Sequence, residues 1–284
     1  VITTLNSYGT RVNNIDGRAV FNLLYFAQNL GMVFGTTIVG PIYQFSDNQV
    51  GPLFIITTVM FACFEVLVFF KYRLAKVDQT PRFKEKASTE KVPKANLVII
   101  WTLFIALSLT WAIYTQWSSN LSVYVTSMGI SMTSYSMLWT INGILIVISQ
   151  LILTRLAPYI NNPYHQVFVG LLTISGSFFL LLFAHSYIIF VLSIVVLTIG
   201  EATAFPTIPG IVNELSPTES KGRYQGILNS FASAGKAIGP LLGGILIESA
   251  SYKVLFIVCL VVMLVIEAIV VITVRSREPA TKRF

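Results

Sequence analysis

Residues 200–244, GEATAFPTIPGIVNELSPTESKGRYQGILNSFASAGKAIGPLLGG, hold two side chains that are out of place in their surroundings. Glu201 interrupts the apolar run 187–212, and Lys236 interrupts the apolar run 226–247. Charges in hydrocarbon-like sequence are costly, and where they persist they mark ion or substrate paths, relays or pairs. Glu201 lies about fourteen residues into its run, near mid-depth for a helix that rises about 1.5 Å per residue. A carboxyl there can take up and release a proton, and alternate exposure to the two sides of a membrane could couple that exchange to movement of another compound. The competing reading is a fixed ion pair with Lys236, the eleventh residue of the next, antiparallel run. The two are compatible, since a pair that breaks on protonation is itself a switch.

Other chemistries find no footing. There is no HExxH, no paired acid at depth and no Ser–His constellation, so an enzyme is not expected. Cys63 and Cys259 each stand alone in an apolar run and read as buried structural thiols. Without a CxxC or Cys/His cluster, neither a metal site nor a cofactor is expected. His165 and His185 flank an apolar run and read as surface histidines.

The elements that position Glu201 and Lys236 follow from composition. Of 284 residues, 55% are hydrophobic and 11% charged, against about a quarter charged in soluble domains. With a mean hydropathy of +0.75, the chain reads as an all-α, polytopic membrane protein. The net charge of +7 does not imply nucleic acid, because the basic residues sit between apolar spans.

Spans are expected at 19–43, 52–70, 97–125, 135–154, 167–184, 187–212, 226–247 and 254–274, about eight in all. They lack strand alternation, and only helices and closed barrels cross lipid. Residues 71–96, with eight Lys or Arg and two prolines, form the one long polar linker and the natural domain boundary. Numbering sides alternately, one side collects 17 of the 19 basic residues, including Arg155 and Arg223; the other holds Lys253. The positive-inside rule puts both termini and the linker in the cytoplasm of a multi-pass plasma-membrane protein.

An internal repeat is also legible. Gly17, Arg18, Phe26 and Ala27 match Gly222, Arg223, Phe231 and Ala232 at an offset of 205; after a one-residue slip, Gly31, Gly35 and Gly40 match Gly235, Gly239 and Gly244 at 204. Matched pieces of like orientation, each before a final apolar span, indicate two parallel helical bundles. Carried back from residue 97, the offset expects roughly 110 residues upstream of Val1 and twelve spans in the intact protein.

At this point the chain resembles the major facilitator superfamily, and within it the bacterial drug:proton antiporter-like members. GEATAFPTIPGIVNELSPTESKGRYQGI is similar to the family's helix-ten region, and YTQWSSNLSVYV to helix seven. SAGKAIGPLLGG and NLGMVFGTTIVGP are similar to the glycine-proline motif of helices eleven and five. LWTINGILIVISQLILTRLAP is similar to helix eight running into a degraded loop motif, which keeps Arg155 but lacks the usual acid and basic run. The resemblance implies helices five to twelve of a two-bundle fold. Residues 1–70 are then the remnant of an N-terminal six-helix bundle, 71–96 the linker and 97–284 the C-terminal bundle. It implies a monomeric secondary transporter whose partners are a small-molecule substrate, protons and the bilayer. Its expected activity is proton-coupled efflux of lipophilic or drug-like compounds. Uptake of a sugar or peptide, and a non-transporting receptor or scaffold, are the alternatives.

The remaining candidates are weighed on that frame. Thr110, Tyr114, Trp117, Leu121 and Tyr124 share a helix face, with Gln116 and Asn120 beside it. By resemblance this helix and the one carrying Glu201 line a central cavity, which makes Tyr114, Gln116, Trp117 and Asn142 substrate candidates; interfacial anchoring is the other reading for the aromatics. Asn142 and Gln150 must find hydrogen bonds inside the bundle, so helix–helix contact competes with ligand contact. Gly235, Gly239 and Gly243, spaced by four, let another backbone approach, as do Gly31 and Gly35. With Gly40, Pro41, Pro240 and Gly244 they make up the packing and gating motif that the resemblance implies.

Overall fold

The computed structural model describes residues 23–31, 34–35, 42, 46, 49, 51–74, 92–156 and 162–277. Every regular element among them is helical. Residues 23–31 form a helical segment. The longer helices are α1 (Gly51–Leu74), α2 (Lys94–Ser118), α3 (Asn120–Ser127), α4 (Met132–Leu156), α5 (Pro163–Leu181), α6 (Tyr187–Leu215), α7 (Lys221–Ser249) and α8 (Tyr252–Arg277). Among the described residues, seven stretches are long and apolar enough to cross a membrane, α2 and α3 counting as one of 34 residues, Lys94–Ser127. The expected span 19–43 lies partly outside the described residues.

Two compact units divide the chain: Leu30–Lys91, and Val1–Asn29 together with Val92–Phe284. The smaller unit contains α1, whose side chains are exposed along nearly its whole length. Cys63, expected to be buried, is therefore exposed, whereas Cys259 on α8 is buried. The sequence shows that Cys63 sits in an apolar run but not which neighbours would cover it.

The larger unit holds the other six spans. Its core includes Leu103 and Phe104 of α2, Leu171 and Phe178 of α5, Phe190 and Ile194 of α6, and Met263 of α8. Apolar side chains also cover its outside, among them Ile148, Leu172, Leu192, Val261 and Ile272. A bundle that is apolar inside and out suits a hydrocarbon solvent, in which backbone groups must be satisfied within each helix.

Local chemistry sets the helix ends. Asn162 caps α5 by accepting from the Tyr164 amide at 2.9 Å, with Pro163 in the first turn, where its missing N–H costs nothing. The expected span 97–125 is broken at Ser119 (φ −104°, ψ −76°). The Ser119 hydroxyl bonds back to the Thr115 carbonyl, and Tyr135 of α4 donates to the Trp117 carbonyl at the same break. After α3, Gly129 takes φ +80°, a left-handed conformation that a Cβ would strain.

α7 buries one stripe, Gln225, Leu228, Ala232, Gly235, Gly239 and Gly243, and packs along α2. A Cβ on Gly235 would run into the Ser108 backbone, one on Gly239 into Ala112, and one on Gly243 into Gln116 and Asn120. The backbones meet because three side chains are absent, the usual route to close helix approach in lipid. Gly244 lies off this stripe, and a Cβ there meets nothing within 4 Å. The same holds for Gly31 and Gly35 among the described residues; Gly40 and Pro41 lie outside them.

Candidate transport site

Glu201 stands at the midpoint of α6, a helix of 29 residues. It is 3% exposed. Tyr25, from the segment 23–31, donates to Oε1 at 2.7 Å. Tyr114 of α2 donates to Oε2 at 2.8 Å, and Asn142 of α4 donates to the same oxygen at 2.9 Å. The second amide hydrogen of Asn142 serves the Thr198 hydroxyl, one turn before Glu201, at 2.9 Å. Three separate helical elements thus converge on a carboxyl carried by a fourth, and all three donors suit a carboxylate, which only accepts. Hydrogen bonds to a charged group are worth about 1.5–3 kcal/mol each, so the cluster offsets much of the cost of holding the acid away from water.

Lys236 stands near the midpoint of α7, also 29 residues long. The expected contact pair with Glu201 does not form. The Lys236 ammonium instead sits 3.6 Å above the centroid of the Trp111 ring. Trp111 stacks on Phe205 (4.3 Å between centroids, 24°) and meets the edge of Tyr114 at 5.2 Å. The two charges act on one another through space, while each is held by different neighbours. A cavity of about 180 Å³ opens here, its wall including Tyr25, Gln28, Trp111, Phe205, Pro206 and Lys236. Glu201 is not part of that wall; it lies behind Tyr25, whose hydroxyl it holds.

The helix after Glu201 contains Pro206 and Pro209. Pro206 has no N–H for the carbonyl of Ala202, four residues back. Gln150 of α4 supplies the missing donor at 2.8 Å. Gln225 of α7 donates to the Pro209 carbonyl at 2.8 Å. On α7, Gln116 donates to the Gly239 carbonyl at 2.8 Å and Asn120 to the Pro240 carbonyl at 3.3 Å. Each proline of the two charged helices is thus steadied by an amide side chain from another helix.

Of the residues singled out in the sequence, Glu201, Tyr114 and Asn142 are brought together in one cluster. Gln116 is engaged with α7, and Trp117 is wholly buried in the core; neither lines the cavity. Arg155, at the end of α4, and Arg223, in the first turn of α7, are exposed. Sequence reasoning passed over Tyr25, Trp111 and Phe205. Tyr25 lies inside the repeat unit, where only glycines and matching letters drew notice, and Trp111 precedes Tyr114 by a single helical turn.

The sequence profile of the Major Facilitator Superfamily matches residues 17–164 and 163–284. The chain belongs to that superfamily. An uncharacterized MFS-type transporter, YttB of Bacillus subtilis, is 36% identical over 253 residues, covering 88% of this chain and 62% of YttB. The proton-coupled antiporter flippase LtaA of Staphylococcus saprophyticus is 25% identical over 232 residues, covering 79% of this chain and 56% of LtaA. Among solved structures, the human organic anion transporter MFSD10 superposes with a TM-score of 0.54 at 18% identity, over 62% of this chain and 40% of MFSD10. The chain therefore spans about three fifths of the length of YttB and LtaA. Its six-span helical unit agrees with that membership.

Proposed function

We propose that the whole protein is a proton-coupled carrier of small amphiphilic compounds, working by alternating access, with Glu201 as its proton site. The observation that carries this reading is the convergence of Tyr25, Tyr114 and Asn142 on a buried carboxyl at mid-depth. A permanently paired structural acid would need one cation; this one is held by neutral donors that tolerate either protonation state. Tyr25 links the acid to the cavity wall, so rearranging the cavity changes what Glu201 is bonded to.

Export in exchange for protons is the first direction, supported by the similarity to LtaA, a proton-coupled antiporter by name. Uptake together with a proton is the second, favoured by the Lys236 ammonium on the cavity wall, which has no ion-pair partner among the described residues. In either case two bundles, with the boundaries 1–70, 71–96 and 97–284, rock about the cavity in the plasma membrane. The basic ends of the spans face the cytoplasm, and the carrier is a monomer.

The test is flux of acidic, neutral and basic fluorescent lipophilic dyes across everted vesicles carrying the whole protein. The reading expects movement of at least one dye to collapse with a protonophore and to lose its response to the proton gradient in Glu201→Gln. A gradient response that survives in the variant removes Glu201 from the coupling role.

A further inference from the structure

We propose that the cavity takes compounds that join an acidic group to an apolar body, with the acid bound at Lys236. The inference rests on the reading of this cavity as the cargo site. It starts from charge. Lys236 is the charged side chain on the described cavity wall. Glu201 has its oxygens committed to Tyr25, Tyr114 and Asn142, and forms no ion pair among the described residues. The cavity therefore presents an ammonium and hides the carboxylate.

The aromatic residues reinforce this. A ring face can attract a cation, and Trp111 would be the natural seat for a basic compound. That ring already carries the Lys236 ammonium at 3.6 Å and stacks on Phe205 at 4.3 Å. A basic cargo would have to displace the lysine and then share the cavity with it. An acidic cargo meets an ammonium that has no ion-pair partner among the described residues, in surroundings where attraction between opposite charges is several times stronger than in water. Leu107, Pro206 and Leu228 supply an apolar wall for the rest of the molecule, and Gln28 and Asn229 add neutral polar groups.

One consequence concerns direction. An acid that engages Lys236 neutralises the positive charge that favours an ionised Glu201, so bound acid and a proton on Glu201 favour each other, as linkage requires. Acidic cargo therefore supports joint movement with a proton, the second direction given above.

The experiment is calorimetric titration of the whole protein in phosphatidylcholine nanodiscs, with empty nanodiscs as the blank. The probes are 2-naphthoate, 2-naphthylmethanol and 2-naphthylmethylammonium, which share one body and differ in charge. The wild type is expected to bind 2-naphthoate at least tenfold more tightly than 2-naphthylmethylammonium. Lys236→Gln should weaken 2-naphthoate at least tenfold and leave 2-naphthylmethanol within twofold; Lys236→Arg should keep the acid preference. Tightest binding of the ammonium probe overturns the proposal, as does undiminished 2-naphthoate binding in Lys236→Gln. If that variant also loses 2-naphthylmethanol, Lys236→Arg decides: retained acid preference supports the proposal, lost preference with intact 2-naphthylmethanol binding overturns it. If the wild type binds none of the three, the cargo-site reading itself fails and takes the inference with it.

Discussion

The side-chain amide of Gln150 donates to the carbonyl of Ala202 at 2.8 Å, the acceptor that Pro206 leaves without its helical partner. Ala202 directly follows Glu201 in the chain. The proline site of α6 and the proposed proton site are thus tied together by a side chain from α4.

This relationship predicts coupling between distant positions. Gln150→Leu should destabilise the protein by about 1–2 kcal/mol, because a buried carbonyl loses its donor. In a Pro206→Ala background the backbone N–H returns, and the same substitution should cost about 1 kcal/mol less. Thermal or denaturant unfolding of the four proteins in detergent measures the cycle; strictly additive effects would contradict it.

Helix packing gives a second prediction. Gly239→Leu places carbons where the Ala112 backbone lies, so α7 must leave α2, at a cost of about 3 kcal/mol or more. Gly244→Ala meets nothing within 4 Å and should stay within about 0.5 kcal/mol of wild type. Size-exclusion profiles of fluorescently tagged variants after a heat step would separate the two. Equal losses would contradict the assignment of the packing face.

The donors to Glu201 give a third. Tyr114→Phe and Asn142→Leu each remove one bond to a buried carboxylate, worth about 1.5–3 kcal/mol. Both should depress proton-linked flux, whereas Thr173→Val, whose hydroxyl bonds to the carbonyls of Val169 and Gly170 in its own helix, should not. Everted-vesicle flux normalised to protein amount distinguishes them, and wild-type flux in both donor variants would show the cluster to be idle.

Orientation supplies a fourth. In a background without Cys63 and Cys259, a cysteine at Lys253 should react with an impermeant maleimide added outside intact cells. One at Arg223 should react only in everted vesicles. The reverse pattern would invert the topology.

Much of this was legible in the sequence because hydrophobicity, charge placement and glycine spacing are local signals. The spans, the apolar run around Glu201 and the stripe Gly235, Gly239 and Gly243 needed only the residues themselves. What Lys236 touches was not legible. Its depth matched that of Glu201, and the attraction of opposite charges suggested a contact. The outcome depends on which way each helix faces, and rotation about the axis places Lys236 on Trp111 and Glu201 among hydroxyl and amide donors. Gln150 shows the same limit. Its need for a partner was evident, but that the partner would be the carbonyl freed by Pro206 required the packing of α4 on α6. Tyr25 was hidden for another reason: an ordinary tyrosine in an apolar span carries no signal until a carboxyl is found at its hydroxyl.

The central claim is that Glu201 carries the coupled proton. It is tested most directly in proteoliposomes of the whole protein by comparing gradient-driven accumulation of a transported dye with its gradient-free exchange, in wild type and Glu201→Gln. The account predicts that the variant keeps exchange within about threefold of wild type, since the amide preserves the shape of the cluster, while accumulation driven by the proton gradient disappears. Accumulation at the wild-type level in Glu201→Gln would contradict it.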